Sequence, residues 1–199
     1  MTAKDYLGDI IGGSIMLRES RLIAQLLLRS PDRAEWEHAI VDDNILQKGS
    51  MHSARRMAST MRKRLEPLSA EFWSVLLDAQ DDLARQMMLL AVMNDSPVLV
   101  DFFTTEVADA RRMYRETLPV AAWMEFITAR QRVISGLDGY SSSSIEKMGS
   151  NICKIMVDTG YLESARSKRF KAVYLLPELR EWAQRIGCPQ AYEAMEAAR

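Results

Sequence analysis

The sequence predicts a mainly α-helical protein, a compact multi-helix fold with two helix-turn-helix-like elements. Three observations carry this. Apolar residues recur with a 3.6-residue period over long spans, runs that alternate apolar and polar are scarce, and Ser, Asp, Pro and Gly punctuate the spans as helix starts and stops. The 199 residues suffice for one sizeable core or two small ones, and 48% hydrophobic with 27% charged residues is an ordinary globular balance. We read one compact unit over 1–199. It has an N-terminal helix-turn-helix lobe at about 14–66, central helices at about 67–136 and a C-terminal helix-turn-helix or winged-like lobe at about 137–199.

Leu17 to Leu28 reads as the first helix, with Leu22, Ile23, Leu26 and Leu27 inward and Arg18, Glu19, Arg21 and Gln25 partly outward. The next runs from Pro31 toward Asn44, with Pro in the first turn and Trp36, Ile40 and Val41 toward the core. Gly49 is expected to reverse the chain, and Ser50 or Ser53 to cap a helix through Leu65. Ser69 caps a helix through Phe72, Trp73, Leu76 and Leu77, and Asp81-Asp82 begins another through Leu83, Met87, Leu90 and Met93. Ser96-Pro97 starts a long helix whose packed side carries Val98, Leu99, Phe102, Phe103, Val107, Ala110, Met113 and Tyr114. Pro119 opens the next, with Trp123, Phe126 and Ile127 as core candidates.

The helix before Leu65 is the most informative segment. Ala54, Met57, Ala58, Met61 and Leu65 share one stripe, whereas His52, Arg55, Arg56, Ser59 and Lys63 lie opposite, with Arg62 at the edge. A charged helix face is ordinarily solvated surface with mixed signs. Here, between Gln47 and Glu66, the cations are Lys48, Arg55, Arg56, Arg62, Lys63 and Arg64, and the only carboxylate is Glu66. One-sided charge repels itself unless an anion is present. Two short helices joined by a tight turn, the second basic, form the helix-turn-helix pattern.

The second such element follows Gly136-Leu-Asp-Gly-Tyr-Ser-Ser-Ser-Ser144. Ile145, Met148, Gly149, Ile152, Ile155 and Met156 line one side of a helix, Lys147, Ser150, Asn151 and Lys154 the other, and Gly160 ends it as a left-handed cap. Residues 162–176 then form either a short β-hairpin or an extended arm carrying Arg166, Lys168, Arg169 and Lys171, before Pro177 starts the terminal helices. A helix followed by a basic hairpin is how a winged helix reads; a solvated loop reads the same way.

The net charge of -1 argues against nucleic acid only as a sum. Asp78, Asp81, Asp82, Asp95, Asp101, Glu106 and Asp109 face a single Arg85 in the same stretch, so the acidity is concentrated away from the basic segments. Enzyme signatures are lacking: there is no phosphate loop, no HExxH and no GxSxG, and the only histidines are His38 and His52. Asp78, Asp81 and Asp82 suit an acidic helix start without any metal. Cys153 and Cys188 have no CxxC spacing and read as reduced thiols. No cofactor or metal is expected. The longest uninterrupted apolar run, Met87 to Met93, falls well short of the roughly 20 residues a spanning helix needs, so the chain is expected to be cytoplasmic and off the membrane.

Taken together, Leu17-Arg-Glu-Ser-Arg-Leu-Ile-Ala-Gln-Leu-Leu-Leu28, Asn44-Ile-Leu-Gln-Lys48, Ala54 to Leu65, Phe72-Trp73, Asp101-Phe102-Phe103 and Tyr174-Leu-Leu-Pro177 resemble the BrxA family of BREX bacteriophage-exclusion systems. The resemblance runs from about Leu17 to Pro177 and lies in the order and spacing of the pieces. It implies a compact, mostly helical, non-enzymatic double-stranded-DNA-binding protein with helix-turn-helix elements, encoded beside a DNA methyltransferase and ATPase-type components. Those components are the expected protein partners. An assembly adaptor within such a complex, or a helical RNA-binding module, are the alternatives the residues leave open.

Overall fold

The computed structural model describes all residues from Met1 to Arg199. It is helical throughout and contains no β-sheet. One continuous cluster of 52 buried hydrophobic residues runs from Ala3 to Ala198.

The chain starts earlier than its periodicity suggests. Helix α1 (Ala3–Leu7) precedes α2 (Leu17–Leu28), which was expected to come first. Five residues are too few to show a period and too few to be stable alone. Tertiary contacts hold α1: Thr2 and Asp5 form a capping box, Tyr6 and Leu7 are buried, and the Tyr6 hydroxyl donates to Asp101 at 2.6 Å. Gly8 follows with φ +52°, where a Cβ would stand 2.0 Å from the Asp95 carbonyl oxygen, so only glycine fits.

Helix α3 (Arg33–Glu37) is capped by Asp32, with Pro31 just outside it, and runs on through a π-helical turn at His38–Asp42. Ile40 is fully buried, while Trp36 and Val41 pack at the edge. Helices α4 (Met51–Leu65) and α5 (Ala70–Asp78) follow, α5 capped by Ser69 as expected. Helix α6 (Asp81–Asp95) is buried on every side from Gln86 to Met93 and forms the centre of the core.

Helices α7 (Pro97–Phe102) and α8 (Ala108–Arg112) are one rod interrupted by a π-helical turn at Phe103–Val107. The rod ends at Arg112, short of the last two residues read onto its packed side. Phe102, Phe103, Val107 and Ala110 are buried as read, but Met113 and Tyr114 are 65% and 93% exposed. Helices α9 (Ala122–Gln131), α10 (Ser142–Asp158), α11 (Glu178–Arg185) and α12 (Pro189–Ala197) complete the chain. No single helix is long and apolar enough to cross a membrane; the one pair that reaches the length together, α6 with residues 97–112, is bent by 110°.

Helices α9 and α10 meet at Gly149. The Trp123 indole donates to the Ile145 carbonyl at 2.7 Å, and a Cβ on Gly149 would lie 2.3 Å from the Trp123 ring. Gly149→Ala is therefore expected to destabilise the protein by about 1–3 kcal/mol through overpacking, despite the higher helix propensity of alanine. A urea denaturation midpoint checks this.

Candidate nucleic-acid interface

Helix α4 begins where Ser50 accepts the Ser53 amide at 3.2 Å, and its last turn carries Arg62, Lys63 and Arg64 against the negative end of the helix dipole. The reversal before it is not made by Gly49, which has ordinary φ and open space around it. Asn44 and Gln47 make it, with φ of +45° and +52°. The Asn44 carboxamide donates to the Lys48 carbonyl and accepts its amide, both at 2.9 Å, imitating a backbone turn.

The apolar stripe is inward as read, with Ala54, Ala58, Met61 and Leu65 buried. The basic face is less free than the sequence suggests, because carboxylates pair with it from other elements and from the end of α4 itself. Arg55 pairs with Glu37 of α3, its Nε at 2.7 Å. Arg62 pairs with Glu66 at 2.6 Å while stacking 4.5 Å above the Trp36 ring, and Lys63 lies 3.6 Å from Asp9. Lys48 is held by Glu19 at 2.8 Å. His52, Arg56 and Ser59 are exposed, and their side chains form no hydrogen bond or ion pair within the chain. The pairs of Arg55, Arg62 and Lys63 are at or near the surface, where such bridges contribute about 0–1 kcal/mol.

Arg64 faces inward, contrary to its place in the basic run. It is fully buried and donates to the carbonyls of Ser14 at 2.6 Å, Gly13 at 2.9 Å and Asp9 at 3.2 Å. Burial pushes its guanidinium down to about 10, against the pull of Asp95 and Asp9, so it stays charged at neutral pH.

In the C-terminal half, Lys147 and Lys154 are exposed on α10 and form no ion pair; seven positions apart, they share a face. Asn151 is a correction. It is 6% exposed and its Nδ2 donates to the carbonyls of Ile10 and Ile11 at 3.0 and 2.9 Å, so it is a core contact and unavailable to a ligand. Arg64 from α4 and Asn151 from α10 thus grip one N-terminal stretch from two sides. That shared anchor fixes the two basic helices relative to each other.

Gly160 caps α10 with φ +82° as expected. The following segment forms no true hairpin. Isolated antiparallel bridges join Leu162 to Phe170 and Arg169 to Thr117. The Glu163 amide donates to Arg169 at 2.9 Å and Lys171 to Tyr161 at 3.0 Å, while Leu118 donates to Lys168 and Phe170 to Glu116, both at 2.9 Å. Three short stretches, 116–118, 168–170 and 161–163, therefore lie side by side with the Ser164–Ser167 turn at the tip. Arg166, Arg169 and Lys171 are exposed without ion pairs; Lys168 is half-buried with its Nζ 3.4 Å from the Val120 carbonyl. Periodicity missed Arg115 and Tyr114 beside this arm, although Arg111-Arg-Met-Tyr-Arg115 combines cations with an aromatic. No three His, Cys, Asp or Glu side chains converge as metal ligands.

Fold and site define a helical protein that carries two cationic helix-and-loop surfaces on one core. A family model described as BrxA matches residues 4–187. A BREX protein BrxA of Escherichia coli O9:H4 is 40% identical over 98% of this chain and 92% of its own. One from Paramagnetospirillum magneticum is 34% identical over 90% of both chains. The crystal structure of an uncharacterized protein from Magnetospirillum magneticum superposes with a TM-score of 0.84 at 30% identity, covering 97% of this chain and 99% of that one. The chain belongs to the BrxA family of BREX phage-defence proteins.

Proposed function

We propose that this protein binds double-stranded DNA, without enzymatic activity, as its part in BREX defence. The observation that carries the reading is the order of elements in the C-terminal half. The rod α7–α8, the stretch 116–118, α9, α10 and the paired stretches 161–163 and 168–170 follow one another as a helix-turn-helix with a wing does. Lys147, Lys154, Arg166, Arg169 and Lys171, all without carboxylate partners, lie on that helix and wing. Phosphate contacts from such groups position a duplex and make its affinity salt-dependent. On α4, Arg56 and His52 meet phosphates directly, and Arg55, Arg62 and Lys63 do so by exchanging Glu37, Glu66 and Asp9. Ser59 is the exposed α4 side chain nearest in kind to a base-edge contact.

Purified protein is expected to prefer a blunt DNA duplex to a structured RNA of equal length in a competition assay at fixed salt. Preference for the RNA would select the RNA-binding reading. The pairing of Arg55, Arg62 and Lys63 with carboxylates favours a second reading, in which acidic surfaces of other BREX proteins, the methyltransferase or ATPase-type components, dock on α4. A complex that survives nuclease treatment, with no DNA affinity in the isolated chain, would select it.

A further inference from the structure

Beside the wing lies an open cavity of about 410 Å³ lined by Arg111, Tyr114, Arg115, Glu116, Arg169 and Phe170. Three guanidiniums there face one carboxylate. Arg111 is held in place, its Nε donating to Ala198 at 3.1 Å and its guanidinium lying 4.5 Å over the Phe170 ring, yet it has no anionic partner. Neither Arg115 nor Arg169 forms a salt bridge; the one side-chain hydrogen bond of Arg115 goes to the Met113 sulfur at 3.8 Å.

Tyr114 stands at the mouth, 93% exposed, with φ +52°. The Arg115 amide donates to Ala110 at 3.0 Å and the Tyr114 amide to Arg111 at 2.9 Å, which closes α8 with a Schellman turn. Tyr114 therefore occupies the left-handed position that glycine normally takes. A bulky residue is strained there, and an aromatic ring held out in solvent adds nothing to the core.

We propose that this cavity is a second nucleic-acid site that takes an unpaired nucleotide, the base stacking on Tyr114 and its phosphate lying between Arg115 and Arg169. A nucleotide presents the planar face and the anion together; bases inside a duplex offer no free face to the ring. An acidic protein segment would satisfy the arginines and leave Tyr114 unused. The site deepens the duplex-binding reading, because Arg169 also belongs to the wing and a strand leaving the duplex there passes into the cavity.

The test measures anisotropy of labelled oligo-dT and, separately, of a blunt duplex, on wild type, Tyr114→Ala, Tyr114→Phe and Arg115→Ala. Oligo-dT affinity is expected to fall about ten- to hundredfold in Tyr114→Ala, the size of one base–aromatic stack, and to survive in Tyr114→Phe. Arg115→Ala also weakens it, while blunt-duplex affinity stays unchanged in all three. Tyr114→Gly is expected to raise the melting temperature while losing oligo-dT binding, which separates the ring's role from any structural one. No oligo-dT binding by the wild type, or oligo-dT binding indifferent to Tyr114, overturns the proposal. So does an equal loss of duplex affinity in Tyr114→Ala. If duplex binding is absent but Tyr114-dependent oligo-dT binding remains, the cavity stands and the duplex reading falls.

Discussion

Arg64→Ala is expected to lower the unfolding free energy by about 3–5 kcal/mol, the range for deleting one member of a buried, charged hydrogen-bond cluster. The guanidinium satisfies three backbone carbonyls of the N-terminal stretch, and alanine leaves Ser14, Gly13 and Asp9 without that donor. It also leaves a cavity at the junction of α4 with the segment that α10 grips through Asn151. Arg64→Lys is expected to recover only part of the loss, because an ammonium is a point charge and cannot reach several carbonyls in a plane as the guanidinium fork does. Arg56→Ala, two turns earlier on the same helix and exposed, is expected to change stability by no more than about 0.5 kcal/mol. Urea denaturation of the three variants checks the contrast.

The second large effect concerns binding. Changing Lys147, Lys154, Arg166, Arg169 and Lys171 together to Ala is expected to weaken duplex affinity roughly a thousandfold at about 0.1 M salt, since each neutralised phosphate contributes about −0.9 to the salt slope. Changing Arg55, Arg56, Arg62 and Lys63 is expected to weaken it much less. Three of those four already have carboxylate partners, so their phosphate contacts are gained only after Glu37, Glu66 or Asp9 is displaced. All nine positions are surface or edge positions, so both variants should keep their melting temperatures. Equal losses from the two sets would contradict the greater weight given to the C-terminal half.

The helices were legible because their apolar stripes are long: Leu17–Leu28 matches to the residue, and every apolar position read on α10 is buried. Caps were legible where a side chain has one local partner, as at Ser50, Ser69 and Gly160. What a single helix cannot reveal is what other elements bring to it. Glu37, Asp9 and Glu19 lie outside the basic run in sequence and next to it in space. Asn151 looks like a surface residue on a helical wheel and Arg64 counts with the basic run, yet each is buried by the same N-terminal stretch, which shows no periodicity of its own. Tyr114 was misplaced because the helix stops at Arg112 and the chain turns left-handed at Tyr114, with no glycine to mark the stop. The wing's Arg166, Arg169 and Lys171 were readable as exposed, but the pairing of 168–170 with 116–118 needs contacts about 50 residues apart in the chain.

The most direct test of DNA binding is the affinity of the wild-type chain for a blunt duplex over a salt series from about 0.05 to 0.3 M. With five or six phosphates neutralised, log K is expected to fall against log salt with a slope near −5. A flat dependence, or no binding at the lowest salt, would contradict the account and turn the search to acidic surfaces on protein partners.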